Sequence, residues 1–283
     1  MRPYSRVYAT VNLDAVASNM RSMRDNLPAS TLIMGSVKAD GYGHGSVPVA
    51  KTIEPYVFGY AVATIDEGII LRRHGINKTI LILGVTHESR YEDLLRYDIR
   101  TAMFQYEKAK KLSDLALKQG KKAVVHLALD TGMSRIGMKA DREHAKEAAA
   151  IAALEGIEVE GLFTHFARAD ETDKSAYEEQ YRRYKEFLGY LKELGVKIPI
   201  RHCSNSAGIV ESLESNHMDM VRAGIAIYGM YPSDEVDHNS VKLTPAMEIK
   251  SCITYIKEIE AGTAVSYGGT FVADHTSKVD ITM

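Results

Sequence analysis

The sequence predicts an α/β protein, a (β/α)8 barrel of the TIM type followed by a β-strand C-terminal domain. Two observations carry this prediction. The chain has 283 residues, close to the roughly 250 that such a barrel requires. Short apolar, β-branched runs alternate with amphipathic stretches up to Pro232, which is typical of parallel strands connected by helices. After Pro232 the strand-like runs continue, but the helical stretches between them stop.

Eight runs are predicted as the barrel strands. They cover residues 31–38, 57–63, 79–84, 99–104, 123–130, 157–165, 198–203 and 218–223. The clearest connecting helices have apolar residues at spacings of three and four, and they cover residues 106–118, 142–154 and 173–194. In the last of them these residues form one continuous face, which we interpret as core packing: Tyr177, Tyr181, Tyr184, Phe187, Leu188 and Leu191.

Strand-like runs without helices between them lie outside the barrel. They cover residues 7–13, 245–259 and 264–271. We therefore divide the chain into three parts: an N-terminal strand associated with the β domain (1–13), the barrel (14–235) and the start of a C-terminal β domain (236–283).

The composition argues against several classes of protein. Lys and Arg total 35 and Asp and Glu total 37, so a net charge of −2 gives no electrostatic reason for binding nucleic acid or a membrane surface. Two cysteines, Cys203 and Cys252, cannot form a disulfide framework. No apolar run is long enough to span a membrane, and residues 1–6 do not resemble a secretion signal. We therefore expect a cytoplasmic protein.

Polar side chains follow the predicted strands at the end of the barrel where active sites form. They are Lys38, Arg135, His165, Ser204, Ser206 and Arg222. The serine hydroxyls, with the backbone N–H groups of Gly224 and Ile225, can surround a phosphate. At Lys38, desolvation and nearby arginines favour the free amine that a Schiff base requires. A phosphate anchor together with such a lysine indicates pyridoxal phosphate.

Each of these residues also has an ordinary interpretation. Lys38 could be a solvated charge, and the two arginines could be ion-pair partners. Residues 41–45 could be a plain glycine turn, since they lack the G-x-G-x-x-G spacing of a dinucleotide site. Three histidines on neighbouring strands, His126, His165 and His202, could suggest a metal-dependent hydrolase. No H-x-H motif or carboxylate cluster accompanies them, so we predict no metal site.

Six segments, taken together and in order, resemble the alanine racemase family. They are residues 37–45, 130–137, 163–167, 204–207, 222–229 and 265–268. The first is similar to the family's pyridoxal-phosphate attachment motif, and the resemblance covers essentially the whole chain. It implies interconversion of L- and D-alanine for peptidoglycan synthesis, with pyridoxal 5'-phosphate as cofactor. It also implies a head-to-tail homodimer with shared active sites.

The resemblance implies a role for each matching residue. Lys38 would hold the cofactor and act as one base, while Tyr267 would be the second base and reach the site of the neighbouring subunit. Two bases on opposite faces of the substrate Cα explain racemisation, because one removes the proton and the other returns it. The phosphate would be bound by Tyr42, Ser206, Gly224 and Ile225. Arg222 would bond to the pyridine nitrogen, with His202 supporting it, and His165 would stack against the ring. Arg135 would contact the phenolic oxygen of the cofactor and the substrate carboxylate.

Two departures from the family pattern bear on activity. Ala128 occupies the position where family members commonly carry a lysine modified as a carbamate, so the group that orients Arg135 is missing or replaced. The family also continues past residue 283 through a complete β domain, so we expect this C-terminal domain to be truncated. Three alternatives stay open: a racemase of serine or another small amino acid, a non-catalytic pyridoxal-phosphate-binding barrel protein, or an inactive fragment. Tyr267 favours the racemase.

Overall fold

The computed structural model describes residues 7–282. The described residues divide into two compact units, one of residues 13–246 and one that combines residues 7–12 with residues 247–282. The ends of the predicted N-terminal and C-terminal segments, residues 1–6 and Met283, lie outside the described residues. Strand β1 (Val7–Val11) belongs to the second unit.

The larger unit is a closed parallel barrel. Its eight strands are β2 (Leu32–Ser36), β3 (Gly59–Val62), β4 (Thr79–Ile82), β5 (Arg100–Met103), β6 (Ala123–Asp130), β8 (Ile157–Phe163), β9 (Ile200–His202) and β10 (Met220–Ala223), and a two-residue strand, β7 (Met138–Lys139), pairs with β6. The sheet runs β5-β4-β3-β2-β10-β9-β8-β6, and the pairing of β5 with β6 closes the ring. The predicted fold class is confirmed.

Helices connect the barrel strands. They are α1 (Leu13–Asp25), the turn α2 (Lys38–Tyr42), α3 (Ser46–Ile53), α4 (Ile65–Arg73), α5 (Tyr91–Tyr97), α6 (Tyr106–Lys118), α7 (Arg142–Ala152), α8 (Ser175–Glu193) and α9 (Ser206–Val210). Each predicted barrel strand contains an observed one, but most observed strands end earlier. The first ends at Ser36, so Lys38 begins a turn beyond the strand.

The core has two layers, as expected for this fold. A large apolar cluster fills the space between the strands and the helices. The predicted face of α8 packs into it, with its rings buried as follows: Tyr177, Tyr181, Tyr184 and Phe187. Inside the barrel, one small cluster combines Met34, Ala61, Leu81 and Met220, and another combines Ala102, Ala128 and Phe163.

The barrel unit extends to Ala246, beyond the predicted limit at residue 235. The buried Asn19 side chain explains the difference. Its amide donates hydrogen bonds to Ile227 O at 3.1 Å and Thr244 O at 2.9 Å, and it accepts one from Thr244 N at 2.7 Å. Ala246 N donates to Tyr228 O at 3.0 Å. These bonds hold the irregular segment that ends at Ala246 against helix α1. The segment has no helix or strand periodicity, so the sequence pattern does not assign it to the barrel.

The second unit consists of three antiparallel strand pairs. They are β1 with β11 (Met247–Ser251), β12 (Ile253–Ile259) with β15 (Ser277–Thr282), and β13 (Ala264–Val265) with β14 (Phe271–Val272). The prediction of one strand over residues 264–271 is wrong, because Ser266 and Gly268 have φ angles of +61° and +74° and form a turn. Tyr267 lies in that turn with its side chain fully exposed.

Among residues 7–282, we find no helix with the length and apolar character needed to cross a membrane.

Candidate active site

The predicted barrel-site residues meet at the C-terminal ends of the strands. They line two adjoining cavities of about 320 Å³ each. Both cavities are lined by Lys38, Tyr42, Leu83, Met133, His165 and Arg222. Ser206, Gly224 and Ile225 also line the first cavity, and Arg135 also lines the second. Parallel strands explain this convergence, because their carboxyl ends all open on one rim of the barrel.

Lys38 stands at the start of an unusual left-handed turn. Ala39, Asp40 and Gly41 have φ and ψ near +50° to +62° and +42° to +49°, and Tyr42 has a φ of +53°. For residues other than glycine this conformation costs about 1–2 kcal/mol each. The turn brings the Tyr42 ring back toward the lysine, with the Lys38 Nζ 5.0 Å from the ring centroid.

The Glu67 carboxylate holds this turn to the next barrel strand. Its two oxygens accept hydrogen bonds from Ala39 N at 2.9 Å and from Ala63 N, just after β3, at 2.7 Å. Sequence reasoning missed this residue. Thr64 and Glu67 match a helix capping box, and Thr64 does cap α4. That pattern, however, gives no indication that the carboxylate bonds outside its own helix.

A cradle of hydroxyl and amide groups lies beside Gly224. A Cβ added there would stand 3.5 Å from Ser206 Oγ and 3.6 Å from Tyr42 Oη. Ser206 Oγ already accepts hydrogen bonds from Gly224 N at 2.9 Å and Ala226 N at 3.3 Å, so its own hydrogen is free to donate. Ile225 begins a short helical turn, and the first N–H groups of a turn have no partner within it. This donor set suits a phosphate.

The Arg222 guanidinium is buried below the cradle, with 4% exposure. Nη1 donates to His202 Nδ1 at 2.9 Å and His202 O at 3.1 Å. Nη2 donates to Thr164 O at 2.7 Å and Cys203 O at 3.0 Å. Among the described residues, nothing accepts from Nε, so this N–H is left for a group in the cavity. Burial, with the charge of Arg135, lowers the Arg222 pKa to about 10, and the side chain remains a cation at neutral pH.

His165 lines both cavities as a neutral imidazole. Burial and the positive charges of Arg222, Arg135 and Lys38 lower its pKa to about 3. Buried Gln180 on α8 fixes the backbone around it, donating to His165 O at 3.1 Å and accepting from Ala167 N at 2.9 Å. Gln180 was not predicted from the sequence, where the aromatic pattern of α8 indicated only core packing.

Arg135 is exposed at the mouth of the second cavity. Its loop is shaped by Asp130, whose carboxylate accepts hydrogen bonds from Gly132 N at 2.9 Å and Ser134 N at 3.0 Å. In the part of the chain that the structure describes, no carboxylate pairs with Arg135. Ala128 is buried in an apolar cluster inside the barrel, so it supplies no polar group in place of the family's lysine. The guanidinium is therefore free to bind an anionic ligand.

These residues fit pyridoxal phosphate. The cradle offers donors for the phosphate, and the unused N–H of Arg222 offers one for the pyridine nitrogen. Ser36 Oγ lines the first cavity and is buried without a partner among residues 7–282, as expected for a site that receives a polar ligand. Lys38, Arg135 and Arg222 supply positive charge for a ligand that carries several negative charges.

Three other predicted residues lie apart from the cavity lining. Ser204, predicted with Ser206 to bind the phosphate, is buried, and its Oγ lies 2.6 Å from Ser215 Oγ. His202 stands behind Arg222, as the hydrogen bond between them requires. Tyr267 belongs to the second unit, the one built of antiparallel strand pairs and called the β unit below. No group of three or more metal-binding side chains occurs within residues 7–282, and His126 and His202 bond to each other at 2.8 Å.

Comparisons with known proteins agree with this geometry. Residues 11–232 match the family described as "Alanine racemase, N-terminal domain". The alanine racemases of Desulforamulus reducens and Clostridium perfringens are each 42% identical to this chain over 274 residues. These residues are 96% of the chain, and they span 74% and 70% of the two relatives. The solved alanine racemase of Clostridium difficile 630 superimposes with a TM-score of 0.90 at 40% identity, covering 99% of this chain and 73% of that one.

The Glu67 contacts predict that this carboxylate stabilises the left-handed turn. We expect Glu67→Ala to lower the free energy of unfolding by about 1–3 kcal/mol, since two backbone N–H groups lose a charged acceptor. Amide hydrogen exchange over residues 39–45 should accelerate with it. Glu92→Ala, at an exposed carboxylate in the first turn of α5, is the control. Equal effects of the two substitutions would contradict the assignment.

The lowered pKa of His165 predicts a loss of stability in mild acid. The folded-state pKa of His165 lies near 3, while an unfolded histidine titrates near 6.5. Below about pH 6.5 the unfolded chain therefore binds a proton that the folded chain does not, and the free energy of unfolding falls as the pH decreases. Urea denaturation between pH 7 and pH 4 measures this slope. We expect a shallower slope in His165→Gln and the wild-type slope in His217→Gln, at an exposed histidine.

Proposed function

The chain belongs to the alanine racemase family of amino-acid racemases, and we propose that it interconverts L- and D-alanine with pyridoxal phosphate as cofactor. One observation carries the proposal. Lys38, the donor cradle at Gly224 and Arg222, whose Nε–H is unused, all line the same cavity. These groups match, respectively, the carbonyl, the phosphate and the ring nitrogen of that cofactor.

Each cofactor-binding residue has a separate task in this proposal. Lys38 Nζ holds the cofactor, and Tyr42, Ser206, Gly224 and Ile225 bind the phosphate. Arg222 donates Nε–H to the pyridine nitrogen and keeps its proton, because a guanidinium does not give it up at neutral pH. His165 stacks beside the ring. When bound, pyridoxal phosphate withdraws electrons from the substrate Cα and makes its proton acidic. By keeping its proton, Arg222 would leave the ring nitrogen of the bound cofactor unprotonated.

Racemisation needs a base on each face of the substrate Cα. Lys38 supplies one, since its amine removes or returns a proton from its own side of the cavity. We assign the other to Tyr267 of a second copy of this chain in a head-to-tail homodimer. The full exposure of the Tyr267 side chain in the single chain supports this assignment, because a residue that works in another subunit must be reachable from outside its own.

Arg135 and its apolar neighbours suit a small amino acid. The guanidinium binds the substrate carboxylate and the phenolic oxygen of the cofactor. Leu83, Met133 and Ile136 line the same cavity and favour a methyl side chain over a polar one. These contacts support alanine, while serine or another small amino acid is the alternative substrate. We further propose a cytoplasmic enzyme that supplies D-alanine for peptidoglycan.

A second candidate is a barrel protein that binds pyridoxal phosphate without turnover. It is favoured by Ala128, which leaves Arg135 without an orienting partner among the described residues. The two candidates differ in one measurement, the formation of D-alanine from L-alanine by the chain supplied with pyridoxal phosphate. Cofactor absorbance without D-alanine formation would support the second candidate.

The role of Lys38 predicts loss of racemisation in Lys38→Ala. We expect the rate to fall by at least about 10³-fold, since both the attachment of the cofactor and one base are removed. The assay follows D-alanine formation from L-alanine with added pyridoxal phosphate. Lys51→Ala, at an exposed lysine on α3, should retain the full rate. An unchanged rate in Lys38→Ala would sink the proposal.

The role of Tyr267 predicts a variant that distinguishes the two enantiomers. In Tyr267→Phe, only the base on one face remains, so solvent deuterium should enter one enantiomer of alanine without inversion. Racemisation should fall by about 10²–10⁴-fold. Mass spectrometry of each enantiomer after incubation in D₂O measures both effects. Tyr255→Phe, at another exposed tyrosine of the β unit, is the control, and equal deuterium uptake into both enantiomers would refute the assignment.

A further inference from the structure

A line of polar side chains leads from the active-site cavity into the barrel interior. Arg222 Nη1 lies 2.9 Å from His202 Nδ1, and His202 Nε2 lies 2.8 Å from His126 Nδ1. His126 Nε2 lies 2.9 Å from Glu160 Oε2. Both imidazoles have 0% exposure. Only the first member of this line contacts the cavity, so the proposed reaction does not use the other three directly.

The two ends of the line determine its direction. A guanidinium can only donate hydrogen bonds, and a carboxylate can only accept them. His202 Nδ1 must therefore accept, which leaves its hydrogen on Nε2 to be donated to His126. His126 then carries its own hydrogen on Nε2 and donates it to Glu160. All four ring nitrogens are used, and both imidazoles are neutral with the same tautomer.

The electrostatics agree with neutral imidazoles between two charges. Burial, the Arg222 charge and the neighbouring imidazole lower the pKa of His202. Burial also lowers the pKa of His126, against the opposing effect of Glu160. Burial raises the pKa of Glu160, but His126 and Arg100, whose Nε lies 3.5 Å from the carboxylate, together lower it overall. The carboxylate is thus the negative end of the line and Arg222 the positive end.

Strand β8 is adapted to this arrangement at two consecutive residues. Its pairing with β6 shifts at Glu160, because Val125 pairs with Val159 and His126 pairs with Gly161. Glu160 is therefore the extra residue of a bulge, a feature that redirects side chains near active sites. At Gly161, an added Cβ would stand 2.5 Å from His126 Nδ1. A side chain there would displace the imidazole.

We propose that Glu160 is a positioning residue, which acts through His126 and His202 to hold the Arg222 guanidinium with Nε–H directed into the cavity. Without an acceptor at Glu160, the buried His126 N–H has no partner. His126 then gains a partner only by carrying its hydrogen on Nδ1, which requires His202 Nε2 to accept it and moves the His202 hydrogen to Nδ1. Both imidazoles are thus reversed, and His202 presents Nδ1–H to a guanidinium that can only donate. Arg222 must then move. The expected effect on cofactor affinity rests on the proposed function. The tautomers of His126 and His202 do not, because they follow from the hydrogen bonds alone.

The tautomers can be tested on the full chain without cofactor or substrate. Two-bond ¹⁵N–¹H correlation spectra of ¹⁵N-histidine-labelled protein distinguish the two tautomers, and His126→Gln and His202→Gln assign the signals. We expect both residues as neutral imidazoles with hydrogen on Nε2. In Glu160→Ala the signals of His202, two residues away in the line, should change as well as those of His126. Hydrogen on Nδ1 of either residue in the wild-type chain would overturn the proposal.

The consequence for the site is tested by titration with pyridoxal phosphate followed by absorbance. We expect Glu160→Ala to weaken pyridoxal phosphate binding about tenfold, the lower end of the loss found when a residue that orients a metal ligand is removed. Glu160→Gln retains an oxygen that accepts from His126 and should restore both the tautomers and most of the affinity. Glu158→Ala, at an exposed carboxylate on the same strand, should leave both readouts unchanged. If Glu160→Ala and Glu158→Ala give the same His202 signals, the proposal fails, whatever the racemase activity.

Discussion

The burial of the Arg222 guanidinium is the constraint on which the site depends. A charged group with five N–H donors is costly to bury unless each donor is satisfied. The barrel satisfies four of the five with backbone carbonyls at the ends of two strands, those of Thr164, His202 and Cys203, and with the His202 imidazole. The fifth donor, Nε–H, is the one left for a ligand. The loops at these strand ends also carry His165 and Ser206. Their positions are therefore fixed by the same bonds that hold the cation in place.

The left-handed turn after Lys38 imposes a second constraint of the same kind. Three residues other than glycine are held in a conformation that an isolated peptide would avoid. Several local bonds offset this cost, including those of Glu67 and the bond of 2.7 Å from Ser46 N to the Asp40 carboxylate. The turn places both Lys38 and the Tyr42 hydroxyl at one cavity within five residues of chain.

The sequence predicts the barrel and most of the cavity lining for a physical reason. Strand periodicity is local, and the rule that parallel strands expose their carboxyl ends on one rim converts it into spatial proximity. Glu67, Gln180 and Glu160 could not be found this way, since each acts on a neighbour distant in sequence. The alternation along β8 places Glu158 and Glu160 on one face, so the residue pattern does not distinguish the exposed Glu158 from the half-buried Glu160 at the bulge. The strand predicted over residues 264–271 was wrong because the φ of Ser266 has a sign that a residue pattern does not reveal.

Closure of the barrel has a consequence for the order of folding. Strand β2, near the start of the barrel segment, pairs with β10, near its end, in the register Leu32 to Met220. Such a contact between distant segments forms slowly, since most of the chain must be synthesised and ordered first. Lys38 follows β2, and Gly224 follows β10. The cavity therefore spans a junction between two strands that lie far apart in the sequence, and it is complete only once that junction has formed.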